Sequence, residues 1–471
     1  MTKEPMPDVV VLLPGITGSV LKRDGKDVWA FSPGAILRGL FSRGNSVKTL
    51  ELQDDDWKQD NVGDDVTADR LVPDLHLIPG LWKIDGYGAV AKFLTSTFTL
   101  VEGDNFFPFP YDWRRDNRAS ARVLQKRSHA WLNGWREKSG NRDAKLVLIG
   151  HSMGGLVSRY FVEALEGWRD TRAVITFGTP FYGALNAVGF LAHGMRKGIG
   201  PVGLDLTPLL RSLTSVHQLV PVYRCVFDAG GNQVTPAKAG IPDWLSAWNP
   251  HLIEFHEEME QAATANRKES AWETSGTLYR PIVGTDQRTW QSAKVIDGKL
   301  EMLYDLGDGD GGGDGTVPAL SAALDETQNA AMFSPQQHAR LQNHGPILDH
   351  LKGALKSLHA VKISDVRRTV TSWFSFDGGD VYAPGEPIAF GLSLRSRMDE
   401  SQLPNLKVTV AVTDHETDAV IDRQTIRVDR IHRQYELAPP PKPGIFTLDV
   451  TAESAAPLSD VFAVVGEEPS S

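Results

Sequence analysis

Gly150-His151-Ser152-Met153-Gly154 lies between a buried apolar run and a helical pattern, and this constrains the fold more than any other feature of the 471-residue chain. Lys145-Leu-Val-Leu-Ile149 reads as a strand covered on both faces. Beyond Ser152, Leu156, Tyr160 and Ala164 recur on one side of a helix, with Gly167 as a stop. A strand that turns straight into a helix through G-x-S-x-G needs glycine on both flanks, because a Cβ there would meet neighbouring backbone. The serine hydroxyl then stands at the C-terminal edge of the sheet, where a base and an orienting carboxylate would make it a nucleophile.

Other runs fit the same frame. Val9 to Leu13, ending in Pro14-Gly15, and Ala173 to Phe177, ending in Gly178, read as further buried parallel strands. Leu124, Trp131, Leu132 and Trp135 mark a helix closed by Ser139-Gly140. Strands alternating with helices predict an α/β domain over residues 1–360, its parallel sheet covered on both faces. The stretch 181–275 is rich in Leu, Gly and Pro and reads as a cap inserted over the sheet. Its leucines from Leu204 onward suit an acyl-chain trough. Strand character resumes at Tyr279 to Val283, and Asp297-Gly298 predicts a hairpin turn.

After residue 360 the pattern changes to short strands of period two, such as Ile388, Phe390, Leu392 and Leu394, or Leu406, Val408, Val410 and Val412. Proline-rich turns separate them, and the reading for 361–471 is an all-β, immunoglobulin-like sandwich. His415 and His432 have no nucleophile or metal-like cluster near them in sequence, so this domain is expected to recognise or dock a protein partner, not to catalyse.

In α/β chains with this turn the acid and then the base follow the serine in sequence. Asp308, Asp310 and Asp314 all lie in one glycine-rich loop and compete for the acid role. The same loop has a rival reading as a calcium loop, although it lacks the closing glutamate. His338, His344 and His350 follow; His344 precedes a helical pattern, whereas His350 falls inside it. The two backbone donors for an oxyanion are expected at Met153, directly after the serine, and at Ile16 in the loop after the first strand. No metal or organic cofactor is needed for this chemistry.

The charge balance is 49 basic against 59 acidic residues, a net of −10, which argues against nucleic acid as a partner. A single cysteine, Cys225, excludes an internal disulfide framework and favours a reducing, cytoplasmic setting. No apolar run approaches the ~20 residues of a membrane span.

Taken in order, Pro14-Gly-Ile-Thr-Gly-Ser19, Tyr111-Asp-Trp-Arg114, Gly150-His-Ser-Met-Gly154, Gly313-Asp-Gly-Thr-Val-Pro318 and His344-Gly345 resemble the lecithin:cholesterol acyltransferase family of α/β-hydrolases. That family includes lysosomal phospholipase and phospholipid:diacylglycerol acyltransferase relatives. Phe177-Gly-Thr-Pro180, where the family's cap begins, and Arg211 to Pro221 look similar as well. The resemblance implies Ser152 as nucleophile, Asp314 as acid, His344 as base, and Ile16 and Met153 as oxyanion donors. It implies a lipid or other acyl-ester substrate, taken by hydrolysis or O-acyl transfer through an acyl-enzyme. Secreted members carry a disulfide-tied lid that this chain cannot form; residues 29–45 stand in its place, either as a flap for transient membrane contact or packed on the cap. In Tyr111-Asp-Trp-Arg114 the charged pair is expected to brace the sheet edge against the cap. The competing reading is a catalytically silent α/β-hydrolase scaffold that binds a protein partner through its sandwich.

Overall fold

The computed structural model describes residues 3–29, 49–73, 76–77, 83–84, 86–199, 202–239, 251–272, 276–307, 309–359, 372–379, 381–396, 405–414, 417, 419–452 and 455–464. The chain forms two compact units, Met1–Leu358 and His359–Ser471.

Six parallel strands form the central sheet of the first unit: β1 (Val9–Leu13), β2 (Phe106–Pro108), β3 (Leu146–His151), β4 (Thr171–Phe177), β5 (Leu278–Gly284) and β6 (Met332–Ser334). Their order is β6-β5-β4-β3-β1-β2, so the chain starts one strand in from an edge, goes to that edge, then returns and builds outward to the other. Because neighbouring side chains in a strand point to opposite faces, the apolar runs feed two cores. Val9, Val11, Leu13, Leu146 and Leu148 face one cluster with helices α2 (Asn117–Ser139) and α3 (Met153–Ala164). Val10, Leu12, Val147 and Ile149 face the other, with α1 (Gly88–Thr97) and α5 (Gly345–Ser357). Unbroken apolar strands thus follow from burial on both faces.

Helix α2 begins where the Asp116 carboxylate accepts from the Arg118 N–H at 2.8 Å and stops at Gly140, whose φ of 70° is the left-handed cap expected there. The predicted hairpin is present: Ser292–Ile296 pairs with Lys299–Leu303, and both turn residues, Asp297 and Gly298, have positive φ.

Between residues 181 and 275 the described elements include helices Leu185–His193, Thr207–Ser212 and α4 (His251–Asn266). Leu209, Leu210 and Leu213 are buried. Helix α4 is stacked on α3 through Tyr160 and Phe255, ring centres 5.5 Å apart, so the C-terminal end of this segment adds to the helical layer over the sheet. Of the 29–45 segment only Trp29 is described; it is buried and donates its indole N–H to the Thr17 carbonyl. Cys225 is buried, and burial pushes its thiol up, so it packs as an inert core residue.

Among the described residues the second unit is all β. Seven strands run in the order Val420–Val428, Leu406–Asp414, Gly444–Ala452, Ala455–Val464, Ser372–Gly378, Ile388–Ser396 and Arg433–Leu437, and Val381–Tyr382 pairs with Ala455–Val464. Alternate residues Phe390, Leu392 and Leu394 meet Val408, Val410, Val412, Phe446 and Leu448 in its core. Ser372–Gly378 and Arg433–Leu437 are additions to the strands read from the sequence. His415 lies outside the described residues.

Candidate active site

Strand β3 delivers the chain into the turn at Ser152, which carries φ 53° and ψ −123°, a backbone strain of about 1–3 kcal/mol for a residue with a Cβ. Three bonds hold it there. The Ser152 N–H donates to the Phe177 carbonyl at 2.9 Å, and the Ser152 carbonyl accepts from the Gly155 N–H at 3.0 Å and the Thr179 hydroxyl at 2.9 Å. The flanking glycines are required by contact. A Cβ on Gly150 would come within 2.7 Å of the Gly155 nitrogen, and one on Gly154 within 2.5 Å of the Pro14 carbonyl oxygen. Gly154→Ala is therefore expected to lower stability by about 3 kcal/mol, since only backbone can yield. A urea midpoint equal to that of the wild type would contradict this.

At the C-terminal edge of the sheet three side chains meet. His338 Nε2 lies 2.9 Å from the Ser152 hydroxyl oxygen, and His338 Nδ1 lies 2.7 Å from Oδ2 of Asp314. All three are buried; Ser152 and His338 keep 7% and 8% of their surface and Asp314 only 1%. The other Asp314 oxygen accepts from the Thr316 and Val317 N–H groups at 2.9 and 2.7 Å, which locks the carboxylate. Gly178, at φ 54°, lets the pair sit against the end of β4, because a Cβ there would be 2.6 Å from Asp314 Oδ2. Phe177-Gly-Thr-Pro180 thus supports the site through Gly178 and the Thr179 hydroxyl.

The base expected at His344 is corrected: the histidine between Ser152 and Asp314 is His338. Strand β6 ends at Ser334, and His338 follows at once on the edge of the sheet, with its N–H bonded to the Asp314 carbonyl at 2.8 Å. The 3-10 turn His338–Asn343 then carries the chain away. His344 caps α5, its carbonyl accepting from the Ile347 and Leu348 N–H groups. His350 lies within α5. The signal that would have found His338 is the short strand Met332–Ser334 just before it, hidden by its three-residue length and mixed exposure. Asp310 stands apart, bonded to the Gln291 side chain and the Gly312 N–H, the latter chiefly holding its carboxyl below the usual range. Asp308 lies outside the described residues, and among the described residues no group of three or more acidic, His or Cys side chains is placed to hold a metal.

Ile16 lies in the loop after β1, and Met153 is the first residue of α3, directly after Ser152. Gly15 allows the approach, as a Cβ there would be 2.9 Å from the Ser152 Cβ. Among the described residues neither the Ile16 nor the Met153 N–H has a protein acceptor. Tyr111-Asp-Trp-Arg114 braces this loop. The Tyr111 hydroxyl donates to the Pro14 carbonyl at 2.7 Å, the Trp113 indole to the Ser19 carbonyl, and the fully buried Arg114 pairs with Asp112 and Asp64. Ser215 ties the leucine-rich segment to the same motif through the Trp113 carbonyl at 2.6 Å.

The family model of lecithin:cholesterol acyltransferase matches residues 83–273, which contain Ser152 and Met153. This segment is lecithin:cholesterol acyltransferase-like. The match supports an enzyme of acyl-lipid hydrolysis or transfer. No curated protein matches the chain. Among solved structures, the Bacillus licheniformis lipase BlEst2 in propeptide form is 10% identical, covering 98% of this chain and 94% of that one, with a TM-score of 0.34. Its mature form is 12% identical over 75% and 95%, with a TM-score of 0.31. Trypsin-activated alpha-2-macroglobulin from Escherichia coli is 18% identical over 20% of this chain and 7% of that chain, with a TM-score of 0.18, so the chain spans a small part of that protein. All three overlaps are loose, and the α/β assignment rests on the sheet order and the serine turn.

Proposed function

We propose that the protein is a serine-dependent lipid acyl hydrolase or O-acyltransferase with a Ser152–His338–Asp314 triad. The observation that carries this is the unbroken hydrogen-bonded relay from Ser152 through His338 to Asp314. His338 Nε2 takes the hydroxyl proton as the Ser152 oxygen attacks the acyl carbonyl, and Asp314 holds the imidazolium in place. The carbonyl oxygen, now negative, accepts from the Ile16 and Met153 N–H groups. As the bond to the leaving alkoxide breaks, the imidazolium returns its proton to the leaving alcohol. Water or an acceptor alcohol then attacks the acyl-serine by the same proton path in reverse. The complete relay speaks against a catalytically silent scaffold. The single cysteine supports a cytoplasmic setting as part of the same reading.

We place the acyl chain beside Ile16, among the buried leucines. Ile16, Thr17, Trp113, Leu206, Leu209, Leu210 and Leu213 line an apolar cleft of about 10 Å³, so a chain enters only as these side chains part. Leu213→Phe fills the cleft and is expected to cut turnover of a long-chain ester about tenfold while leaving an acetyl ester within threefold. Equal losses on both, measured beside circular dichroism, would place the chain elsewhere. The reading as a whole is tested with a fluorophosphonate probe. Wild-type protein should be labelled at Ser152 and should release fatty acid from phospholipid or neutral-lipid vesicles; folded protein that does neither would leave the scaffold reading.

A further inference from the structure

Outside the relay, a second hydrogen-bonded chain crosses the same edge of the sheet. The Gly15 N–H donates to the Tyr87 hydroxyl oxygen at 2.7 Å, and the Tyr87 hydroxyl lies 2.8 Å from His151 Nδ1. His151 Nε2 lies 3.1 Å from the His338 carbonyl oxygen. Proton positions along this chain are forced. The His338 carbonyl can only accept, so Nε2 carries the hydrogen. Burial pulls the His151 imidazole down to about 3, so it is neutral and Nδ1 is an acceptor. The Tyr87 O–H therefore donates to Nδ1 and uses its oxygen lone pairs for Gly15. Tyr87 and His151 are 1% and 2% exposed, so water does not substitute for any member.

The chain joins the three segments that a serine acyl transfer must hold in register. Gly15 immediately precedes Ile16, the proposed oxyanion donor. His151 immediately precedes Ser152, and the His338 carbonyl belongs to the base itself. The peptide unit between Pro14 and Gly15 is gripped on both sides, its carbonyl by the Tyr111 hydroxyl and its N–H by the Tyr87 hydroxyl. That fixes the peptide plane one residue before Ile16. A return path closes the circuit: the Gln342 and Asn343 side-chain amides each donate to the Gly86 carbonyl at 3.1 Å, and the Val90 N–H donates to Asn343 Oδ1. The turn that carries His338 is thus tied back to the residue beside Tyr87.

We infer that Tyr87 and His151 are positioning residues, whose hydrogen-bonded chain from the Gly15 amide to the His338 carbonyl sets the oxyanion donor, the nucleophile turn and the base at fixed relative positions. The inference rests on the serine acyl-transfer reading. A misplacement near 1 Å in such a constellation can lower rates on the order of a hundredfold without changing how substrate binds. The role is therefore a kcat effect and not a KM effect. It also explains why the residue before the nucleophile is a buried histidine: a neutral imidazole presents a donor and an acceptor on opposite edges, where an aliphatic side chain presents neither.

The test uses the full chain, a short-chain p-nitrophenyl ester and a fluorophosphonate that titrates Ser152. Tyr87→Phe removes one oxygen and keeps the ring. His151→Gln keeps a donor for the His338 carbonyl and loses the match to Tyr87. Each is expected to lower kcat per titrated site 10- to 100-fold with KM within twofold, and the double variant to fall no further than the worse single, because all act on one chain. A Tyr87→Phe protein whose kcat per titrated site stays within twofold of wild type overturns the inference. So does a loss that appears only as fewer titratable sites with a lowered Tm, which is a structural role alone. Failure of the wild type to be labelled or to turn over ester would overturn the serine reading, and this inference with it. A labelled, active wild type beside an unimpaired Tyr87→Phe overturns this inference alone.

Discussion

Ser152→Ala is expected to abolish ester turnover, by about a millionfold in kcat, and to abolish fluorophosphonate labelling. The residue has no second task to confuse the result. Its backbone bonds to Phe177, Gly155 and Thr179 are made by N–H and carbonyl groups that alanine retains. Alanine also keeps the Cβ, so the strained φ of 53° costs what it cost before, and the urea midpoint should barely move. Residual rate above the uncatalysed reaction would come from the proposed oxyanion donors, Ile16 and Met153. Turnover near the wild-type rate in purified Ser152→Ala protein would sink the mechanism, because among the described residues no other hydroxyl is bonded to His338.

The second large effect separates two histidines six positions apart. His338→Ala should lose about five to six orders of magnitude in kcat, comparable with loss of the serine, because members of such a triad act as a unit. It should also cost about 1–3 kcal/mol of stability, since Asp314 Oδ2 is left buried without its partner. His344→Ala should keep ester turnover within about threefold. Its imidazole is bonded to neither Ser152 nor Asp314, and its backbone, which starts α5, is unchanged by the substitution. Steady-state kinetics on the two variants, each normalised to folded protein by circular dichroism, settles the assignment. An inactive His344→Ala beside an active His338→Ala would restore the base that the family resemblance implies and remove the relay.

The contrast between these residues shows where sequence reading succeeds and stops. Strands β1, β3 and β4 were legible because burial on both faces makes an apolar run that little else explains. The serine turn was legible because its pattern lies in one short stretch between a strand and a helix; Gly150 answers to backbone within that stretch and its neighbour, whereas Gly154 answers to the Leu13 and Pro14 backbone at the end of β1. Strand β6 was not. It is three residues long at the sheet edge, and its side chains are partly exposed, so neither length nor periodicity marks it. With β6 unseen, nothing distinguished the histidine just past its end from one at the next helix start. Ser372–Gly378 and Arg433–Leu437 escaped notice for a related reason, since only two core-side residues mark each, Phe374 and Phe376 in one and Tyr435 and Leu437 in the other.

Sequence by itself determined the α/β class, the position of the strained serine turn, the glycine-containing loop after the first strand and the aspartate-bearing glycine loop. Each of these is local: strand, turn and cap preferences act over a few residues and leave a readable pattern. Only the tertiary structure decided which histidine meets Ser152, which aspartate meets that histidine, and that Tyr87 and His151 link Gly15 to His338. Those contacts span from 24 to 187 positions of sequence, and they exist because parallel strands bring their C-terminal ends to one edge. A parallel sheet places residues by strand order in space, and strand order follows from how helices cover both faces, which no single segment of the chain encodes.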